Sequence, residues 1–111
     1  WRALEIGGGG GVLAGLLGHH VSHVIATDLV NPDKQFEGQL AERLIEKFDR
    51  HGETFPSDVI EFLSADAQRL PFRDGWFDLT YSQNAFEHIP DPEMALRECI
   101  RVTRPGGLVY I

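Results

Sequence analysis

The sequence predicts a doubly wound α/β domain, in which helices cover both faces of a parallel sheet. Two observations predict this fold class. Short apolar or β-branched runs alternate with segments of helical period, and five consecutive glycines follow the first apolar run directly. Strands that alternate with helical or irregular crossovers are typical of such sheets. With 111 residues, the chain is expected to form one domain over 1–111.

The first half of the chain supplies two strands and two helices. The apolar run at 2–6 predicts a buried strand, residues 12–19 predict a helix that ends near a glycine, and the β-branched run at 21–27 predicts the second strand. A turn is predicted at Asn31-Pro32-Asp33. A second helix over 35–50 is predicted from apolar residues that share one face, namely Phe36, Leu40, Leu44, Ile45 and Phe48.

The second half supplies three strands and a third helix. Its predicted strands, each bounded by turn residues, are 59–63, 77–81 and 108–111. Arg73-Asp74-Gly75 predicts a turn between the first two. Asp91 is expected to cap the third helix, with Pro92 at the first helical position, where a missing N–H is tolerated. Pro105-Gly106-Gly107 is expected to end that helix.

The five glycines lie between the first strand and the first helix, where bare backbone N–H groups can face a ligand. Two patterns compete there. Gly9, Gly11 and Ala14 satisfy the dinucleotide pattern G-x-G-x-x-G/A, although a run of five glycines makes a chance match easy. Glu5 followed by Gly7, Gly9 and Gly11 satisfies E-x-G-x-G-x-G. The absence of Lys and Arg between Arg2 and Lys34 disfavours a phosphate-rich ligand.

In the second pattern the chain resembles the class I S-adenosylmethionine-dependent methyltransferases, within the small-domain type-11 group. The resemblance covers essentially all 111 residues, because further segments match the family's motifs at the right spacing. These segments are Asp28 at the end of the second strand and residues 64–72, 74–82, 86–92, 96–98 and 101–107. The joint spacing of these pieces makes the resemblance specific, whereas each piece alone is a weak signal.

The resemblance implies a Rossmann-like sheet of order 3-2-1-4-5 that lacks the last two strands of the family's core. It implies S-adenosylmethionine as the cofactor, held by Glu5, Gly7, Gly9, Gly11, Asp28, Leu29, Asp66, Ala67, Gln83 and Asn84. In this family's pattern Asp28 accepts the ribose hydroxyls, Asp66 accepts the adenine amino hydrogens, and the Ala67 N–H serves an adenine ring nitrogen. Leu70 or Phe72 is expected to help wall the site. Gly8 and Gly10 are not part of the pattern, so alanine is expected to be tolerated better there than at Gly7 or Gly9.

Several residues have both a functional and a structural interpretation. Glu5 either contacts the cofactor or only holds the loop through its N–H groups, and Asp66 either binds adenine or forms an Asx turn. His88 is the candidate general base, with a role in capping or packing as the alternative. His19, His20 and His23 do not share a face, so we expect exposed side chains and no metal site. Cys99 is expected in the core.

Composition excludes some function classes. The net charge of −7 argues against non-specific nucleic-acid binding, and no apolar run is long enough to span a membrane. One cysteine rules out an internal disulfide and fits a cytoplasmic protein. Because both ends lie in apolar runs, a fragment of a longer protein is expected. The expected function is methyl transfer to a small-molecule acceptor, with a cofactor-binding module without transferase activity and an NAD(P)-binding domain as alternatives.

Overall fold

The computed structural model describes residues 1–8, 10–30 and 38–111. Within these ranges, strands and helices follow one another in the order β-α-β-α-β-β-α-β. The strands are β1 (Arg2–Ile6), β2 (His23–Asp28), β3 (Ile60–Ser64), β4 (Phe77–Ser82) and β5 (Thr103–Tyr110). The helices are α1 (Val12–Leu17), α2 (Leu40–Arg50) and α3 (Pro92–Val102), and short 3-10 turns lie at Ser57–Val59 and Phe86–His88. No helix in the described ranges is long and apolar enough to cross a membrane.

The five strands pair in parallel in the order β3-β2-β1-β4-β5, which confirms the predicted topology. β1 lies at the centre, where Leu4 is opposite Ile25 of β2 on one side and Thr80 of β4 on the other. The chain winds outward from β1 to β3 and then returns to the other side of β1. The winding direction therefore switches between β1 and β4, and ligands of such sheets bind beyond the carboxyl ends of the strands at this switch.

Apolar side chains pack on both faces of the sheet, as a doubly wound fold requires. On one face, Leu4 packs with Cys99 and Val102 of α3, and Cys99 is fully buried, which confirms its place in the core. On the other face, Ala3 packs with Ala14 of α1. The helix α2 extends this second face through an apolar cluster made of Leu40, Leu44, Phe48 and Phe55.

The end of α3 differs from the prediction. The helix ends at Val102, before the Pro-Gly-Gly segment, and β5 begins at Thr103 rather than at residue 108. The Thr103 hydroxyl donates to the Cys99 carbonyl oxygen at 2.6 Å and lies 2.7 Å from the Thr80 hydroxyl. Thr103 is thus tied to the helix end and to β4 at once, which starts the strand early.

The Pro-Gly-Gly segment shapes an irregular strand instead of ending a helix. Between Thr103 and Leu108 the pairing of β5 with β4 shifts register, so the intervening residues bulge. Gly106 has φ +82°, in the left-handed region. A Cβ on Gly107 would lie 2.6 Å from the backbone oxygen of Asp78, so only glycine fits against β4 there.

The remaining boundaries agree with the sequence to within a few residues. β2 begins at His23 rather than at residue 21, and a 3-10 turn at Ser57–Val59 delays β3 by one residue. The second helix is described from Leu40 onward. The predicted turn at Asn31-Pro32-Asp33 and the predicted apolar position Phe36 lie outside the described residues.

The start of α3 is as predicted. The Asp91 carboxylate caps the helix, because its Oδ1 accepts a hydrogen bond from the Met94 N–H at 3.0 Å. Pro92 occupies the first helical position. This cap fixes the point at which the segment after β4 turns into the helix, and that segment forms part of the site described next.

Candidate functional site

A cleft of about 210 Å³ lies at the carboxyl ends of the central strands, at the winding switch. It is bounded by the ends of β1 and β2, the loop after β3 and the segment between β4 and α3. Its lining residues are Ile6, Gly7, Thr27, Asp28, Leu29, Ala65, Asp66, Ala67, Gln68, Asn84, Ala85, His88, Ile89 and Pro90. The structure thus brings together seven residues predicted for the site: Gly7, Asp28, Leu29, Asp66, Ala67, Asn84 and His88.

Asp28 ends β2 at the edge of the cleft. Its Oδ1 accepts a hydrogen bond from the Leu29 N–H at 2.8 Å, which turns the chain away from the sheet. The Ser64 hydroxyl, at the end of β3, donates to the Leu29 carbonyl oxygen at 2.6 Å. The carboxylate is therefore presented by two neighbouring strand ends that are tied together.

Asp66 forms the Asx turn that sequence reasoning had as the alternative. Its Oδ1 accepts the Gln68 backbone N–H at 2.9 Å, and the side-chain amide of Gln68 donates to the same oxygen at 3.2 Å. Asp66 nevertheless lines the cleft, together with the intervening Ala67. The turn and a ligand-facing carboxylate therefore coexist, because the turn uses one oxygen of the two.

The glycine loop closes the floor of the cleft. Gly7 has φ +70°, and a Cβ on it would collide with the Cβ of Ala85, so the loop and the segment after β4 can touch here only at a glycine. The Gly8 N–H donates to the Thr27 carbonyl oxygen at 2.8 Å, which pins the loop to β2. Gly9, predicted to contact the cofactor, lies outside the described residues.

Of the two glycines expected to tolerate alanine, the structure leaves room for a Cβ at Gly10 but not at Gly8. A Cβ on Gly10 would meet nothing within 4 Å, as expected. A Cβ on Gly8 would lie 2.8 Å from Glu5 Oε1 and 3.1 Å from the Ala26 Cβ. Gly11 has φ +75° and faces Leu44, away from the cleft lining.

Glu5 lies beneath the loop and is buried, with 4% of its surface exposed. Burial raises the pKa of its carboxyl from 4.5 to about 7, and the neighbouring Tyr81 hydroxyl lowers it by a smaller amount. Burial and the Glu5 charge likewise raise the pKa of Tyr81. Neither Glu5 Oε1 nor the Tyr81 hydroxyl forms a hydrogen bond of good geometry with the described residues. Glu5 does not line the cleft, so it faces the loop rather than the ligand space.

The polar residues of the segment after β4 do not all line the cleft. Asn84 lines the cleft and has φ +62°, a conformation that Asn tolerates better than most residues. Gln83 is exposed and lies outside the cleft lining. His88 lines the cleft with 78% of its side chain exposed, and its Nε2 lies 3.5 Å from Glu87 Oε1.

The apolar walls are not the predicted ones. Leu70 is buried in the core, and Phe72 packs edge-to-face on Phe77 with ring centroids 5.1 Å apart. Ile89 and Pro90 form the wall instead. Other lining residues that sequence reasoning missed are Ile6, Thr27, Ala65, Gln68 and Ala85. All of them adjoin predicted site residues in the chain, so proximity to a matched motif is the signal that could have found them.

The three histidines near α1 do not converge. His19 Nε2 lies 2.6 Å from the Thr54 carbonyl oxygen, whereas His23 Nε2 lies 3.4 Å from a carboxylate oxygen of Glu61 on β3. Among the described residues, no group of three or more His, Cys, Asp or Glu side chains has the arrangement of a metal site.

The cleft suits a cationic adenosyl ligand. Among the described residues, its lining carries the carboxylates of Asp28 and Asp66 and no Lys or Arg, so it favours a positively charged group over a phosphate. The Gly7 backbone gives a surface without a Cβ, and apolar side chains flank the carboxylates. The volume is below the ~300–1,000 Å³ usual for sites that enclose a drug-sized ligand, so part of such a ligand would extend beyond the cleft.

The sheet and the cleft at its winding switch define a Rossmann-like ligand-binding domain. The chain belongs to the methyltransferase domain family, whose model matches residues 4–111. This match confirms the predicted class, the S-adenosylmethionine-dependent methyltransferases, and S-adenosylmethionine is the cofactor of that class.

Known proteins agree with this membership. A ubiquinone biosynthesis O-methyltransferase of Coxiella burnetii is 29% identical over 115 residues, covering 98% of this chain and 42% of the relative. A candidate methyltransferase of Bacillus halodurans has a solved structure that matches with a TM-score of 0.74 and 25% identity, covering 97% of this chain and 42% of that one. An S-adenosylmethionine-dependent methyltransferase of Mesorhizobium loti matches with a TM-score of 0.72 and 24% identity, covering 98% and 45%, a likeness of fold alone. The chain spans less than half the length of each of these proteins.

Proposed function

We propose that the protein transfers a methyl group from S-adenosylmethionine to a small-molecule acceptor. The observation that carries the proposal is the cleft at the winding switch, whose described lining presents two carboxylates and no Lys or Arg side chain. Family membership supports the reaction class. The O-methyltransferase name of the Coxiella burnetii relative makes a hydroxyl group the first acceptor to test.

In this proposal each residue of the cleft binds a different part of the cofactor. Asp28 accepts the ribose hydroxyls, Asp66 accepts the adenine amino hydrogens through its free oxygen, and the Ala67 N–H faces an adenine ring nitrogen. The Gly7 backbone lies against the ligand where no Cβ intervenes. Asn84, at the end of β4, faces the amino-acid end. Glu5 lies buried beneath the loop and does not line the cleft, so no direct contact with the cofactor is assigned to it.

S-adenosylmethionine supplies a methyl carbon that its sulfonium group already activates. The chain's own task is therefore to orient the cofactor and the acceptor and to exclude water, and positioning of this kind can supply most of a rate enhancement. His88 lies at the mouth of the cleft, beside Glu87. We assign it the role of general base, which would take the proton from an acceptor hydroxyl at Nε2 or Nδ1.

Binding and transfer experiments on the full-length protein test the proposal. Calorimetry with S-adenosylmethionine, S-adenosylhomocysteine and NADH distinguishes the two kinds of ligand, and binding of the first two without NADH is the expected result. Binding of NADH alone would establish a dinucleotide site instead. Transfer of label from [methyl-¹⁴C]-S-adenosylmethionine to a panel of phenols, amines and thiols then tests activity. Binding without transfer to any acceptor would favour a cofactor-binding module.

A test of His88 separates a base from a packing residue. His88→Gln should lower kcat for a hydroxyl acceptor by a much larger factor than it changes the affinity for S-adenosylhomocysteine, because a base acts only in the transfer step. A thiol acceptor, which ionises more readily, should lose much less rate. Equal losses for both acceptors would assign His88 to structure rather than to proton transfer.

A further inference from the structure

A single side-chain amide, that of Gln68, joins the two walls of the cleft. Its Oε1 accepts a hydrogen bond from the Asp91 N–H at 3.1 Å, and its Nε2 donates to Asp66 Oδ1 at 3.2 Å. Asp66 follows β3, whereas Asp91 begins α3, and Gln68 itself lines the cleft. Gln68 and Asp91 are 23 residues apart in the chain, so this contact belongs to the tertiary fold and not to the local turn.

The chemistry of the two partners fixes the orientation of the amide. A backbone N–H can only donate and an ionised carboxylate can only accept, and each meets the matching end of the Gln68 amide. The Gln68 backbone N–H donates to the same Asp66 oxygen at 2.9 Å. Both donors hold Oδ1, while Asp66 Oδ2 forms no hydrogen bond within the described part of the chain. The arrangement therefore selects which oxygen of Asp66 is available to a ligand.

The other end of the amide holds the opposite wall. Asp91 caps α3 through the Met94 N–H, so its own N–H lies at the point where the segment after β4 enters the helix. The residues just before it, His88, Ile89 and Pro90, line the cleft. Because Gln68 bonds to this N–H, its side chain links that wall directly to Asp66.

We propose that Gln68 is the positioning residue of the cofactor site, which aims Asp66 Oδ2 at the adenine amino group and holds the 88–90 wall against the bound ligand. The inference rests on the proposed function, since it assumes that the cleft takes an adenosyl ligand. Gln68 acts through Asp66 and Asp91 and does not touch the reacting atoms. A residue that only stabilised the local turn would leave ligand affinity and base selectivity unchanged.

Two substitutions separate these roles. Gln68→Glu keeps the length of the side chain and an acceptor for the Asp91 N–H, but it has no proton to donate at neutral pH and places a negative charge beside Asp66. We expect the affinity for S-adenosylhomocysteine to fall about tenfold at pH 7.5, the size of one hydrogen bond to a charged group. Gln68→Met removes both side-chain hydrogen bonds without a charge, and we expect a smaller loss of about threefold.

Two further measurements are the pH dependence of ligand affinity and the effect of replacing the adenine base of the ligand. Neither would change if Gln68 only stabilised the local turn. The ionisable groups around Gln68, namely Asp28, Asp66, His88 and Asp91, are present in the wild type and in both variants, so the affinity is expressed as the ratio of variant to wild type. For Gln68→Glu this ratio should recover toward one between pH 7.5 and pH 5, as the added carboxyl group becomes protonated. For Gln68→Met it should stay constant. With S-inosylhomocysteine, which lacks the amino group, both variants should lose less affinity than with S-adenosylhomocysteine, because only the contribution of the 88–90 wall remains.

The experiment uses the full-length protein and calorimetric titration, with thermal melting to show that each variant is folded. Gln39→Glu, the same substitution at an exposed position outside the cleft lining, is the matched control and should leave the affinity unchanged. A wild-type protein that does not bind S-adenosylhomocysteine would contradict the proposed function itself. If the wild type binds and the affinity of Gln68→Glu equals that of the wild type at every pH, only the role of Gln68 is overturned. If Gln68→Glu does not fold, the affinity of Gln68→Met decides the question.

Discussion

Replacing Glu5 by Gln is predicted to stabilise the ligand-free protein at neutral and alkaline pH. The carboxyl group is buried beneath the glycine loop, its Oε1 has no hydrogen-bond partner among the described residues, and its pKa is raised from 4.5 to about 7. The folded state therefore binds the Glu5 proton more tightly than the unfolded state does. The contribution of Glu5 to stability is therefore most favourable at low pH, falls as pH rises from about 4.5 to about 7, and levels off above that window.

The magnitude follows from the two pKa values. A rise from 4.5 to about 7 corresponds to a folding penalty of about 3 kcal/mol once the carboxyl group is ionised in both states. A neutral Gln has the same shape and no ionisation, so Glu5→Gln should match the wild type near pH 4.5. By pH 8 it should be more stable by up to about 3 kcal/mol.

The assay is denaturant unfolding of the full-length, ligand-free protein at a series of pH values from 4.5 to 8. Other titrating groups affect wild type and variant alike, so the difference between their unfolding free energies isolates Glu5. Tyr81→Phe is a useful companion, because the Tyr81 hydroxyl lowers the Glu5 pKa and its removal should move the window to higher pH. A difference that does not change with pH would refute the reasoning.

The other predictions concern the glycine loop and the last turn of α3. Gly7→Ala should destabilise the protein by about 2 kcal/mol or more and weaken binding of S-adenosylhomocysteine, because Gly7 combines a positive φ with a close contact. Gly10→Ala, where a Cβ meets nothing, is the control and should change both by little in the same melts and titrations. Arg101→Met should cost about 2–3 kcal/mol in chemical denaturation, since Arg101 bonds to Glu98 and to the carbonyl oxygens of Leu70 and Phe72. Because Arg101 holds the pKa of Glu98 below its usual value, that loss should shrink as pH falls through the acidic range.

The strands of the sheet could be predicted from local patterns, and the family resemblance supplied half of the residues that line the cleft. β-branched runs identify strands, and the carboxyl ends of parallel strands meet at one edge, which brings Asp28 and Asp66 together. The start of α3 at Asp91 also depends on local cap chemistry and was predicted correctly. The strand order came from a resemblance over the whole chain, since spacing alone does not determine which strands are neighbours.

What escaped prediction depends on contacts between distant segments. β5 begins early because Thr103 bonds to β4 as well as to α3, and Gly8 is crowded because Glu5 folds beneath the loop. The sequence around Gln68 does not indicate that its side chain accepts a hydrogen bond from the Asp91 N–H. Phe72 looked like a wall of the site, but the edge-to-face contact with Phe77 directs it into the core.

The most direct test of the account is a calorimetric titration of S-adenosylhomocysteine into the full-length wild type, Asp28→Ala and Asp58→Ala. Asp28 lines the cleft, whereas the exposed Asp58 precedes β3 and lies outside the lining. If the Asp28 carboxylate holds the ribose hydroxyls, its loss should weaken binding by about 1.5–3 kcal/mol, roughly 10- to 150-fold, while Asp58→Ala binds like the wild type. An affinity unchanged by Asp28→Ala would contradict the assignment of this cleft as the cofactor site.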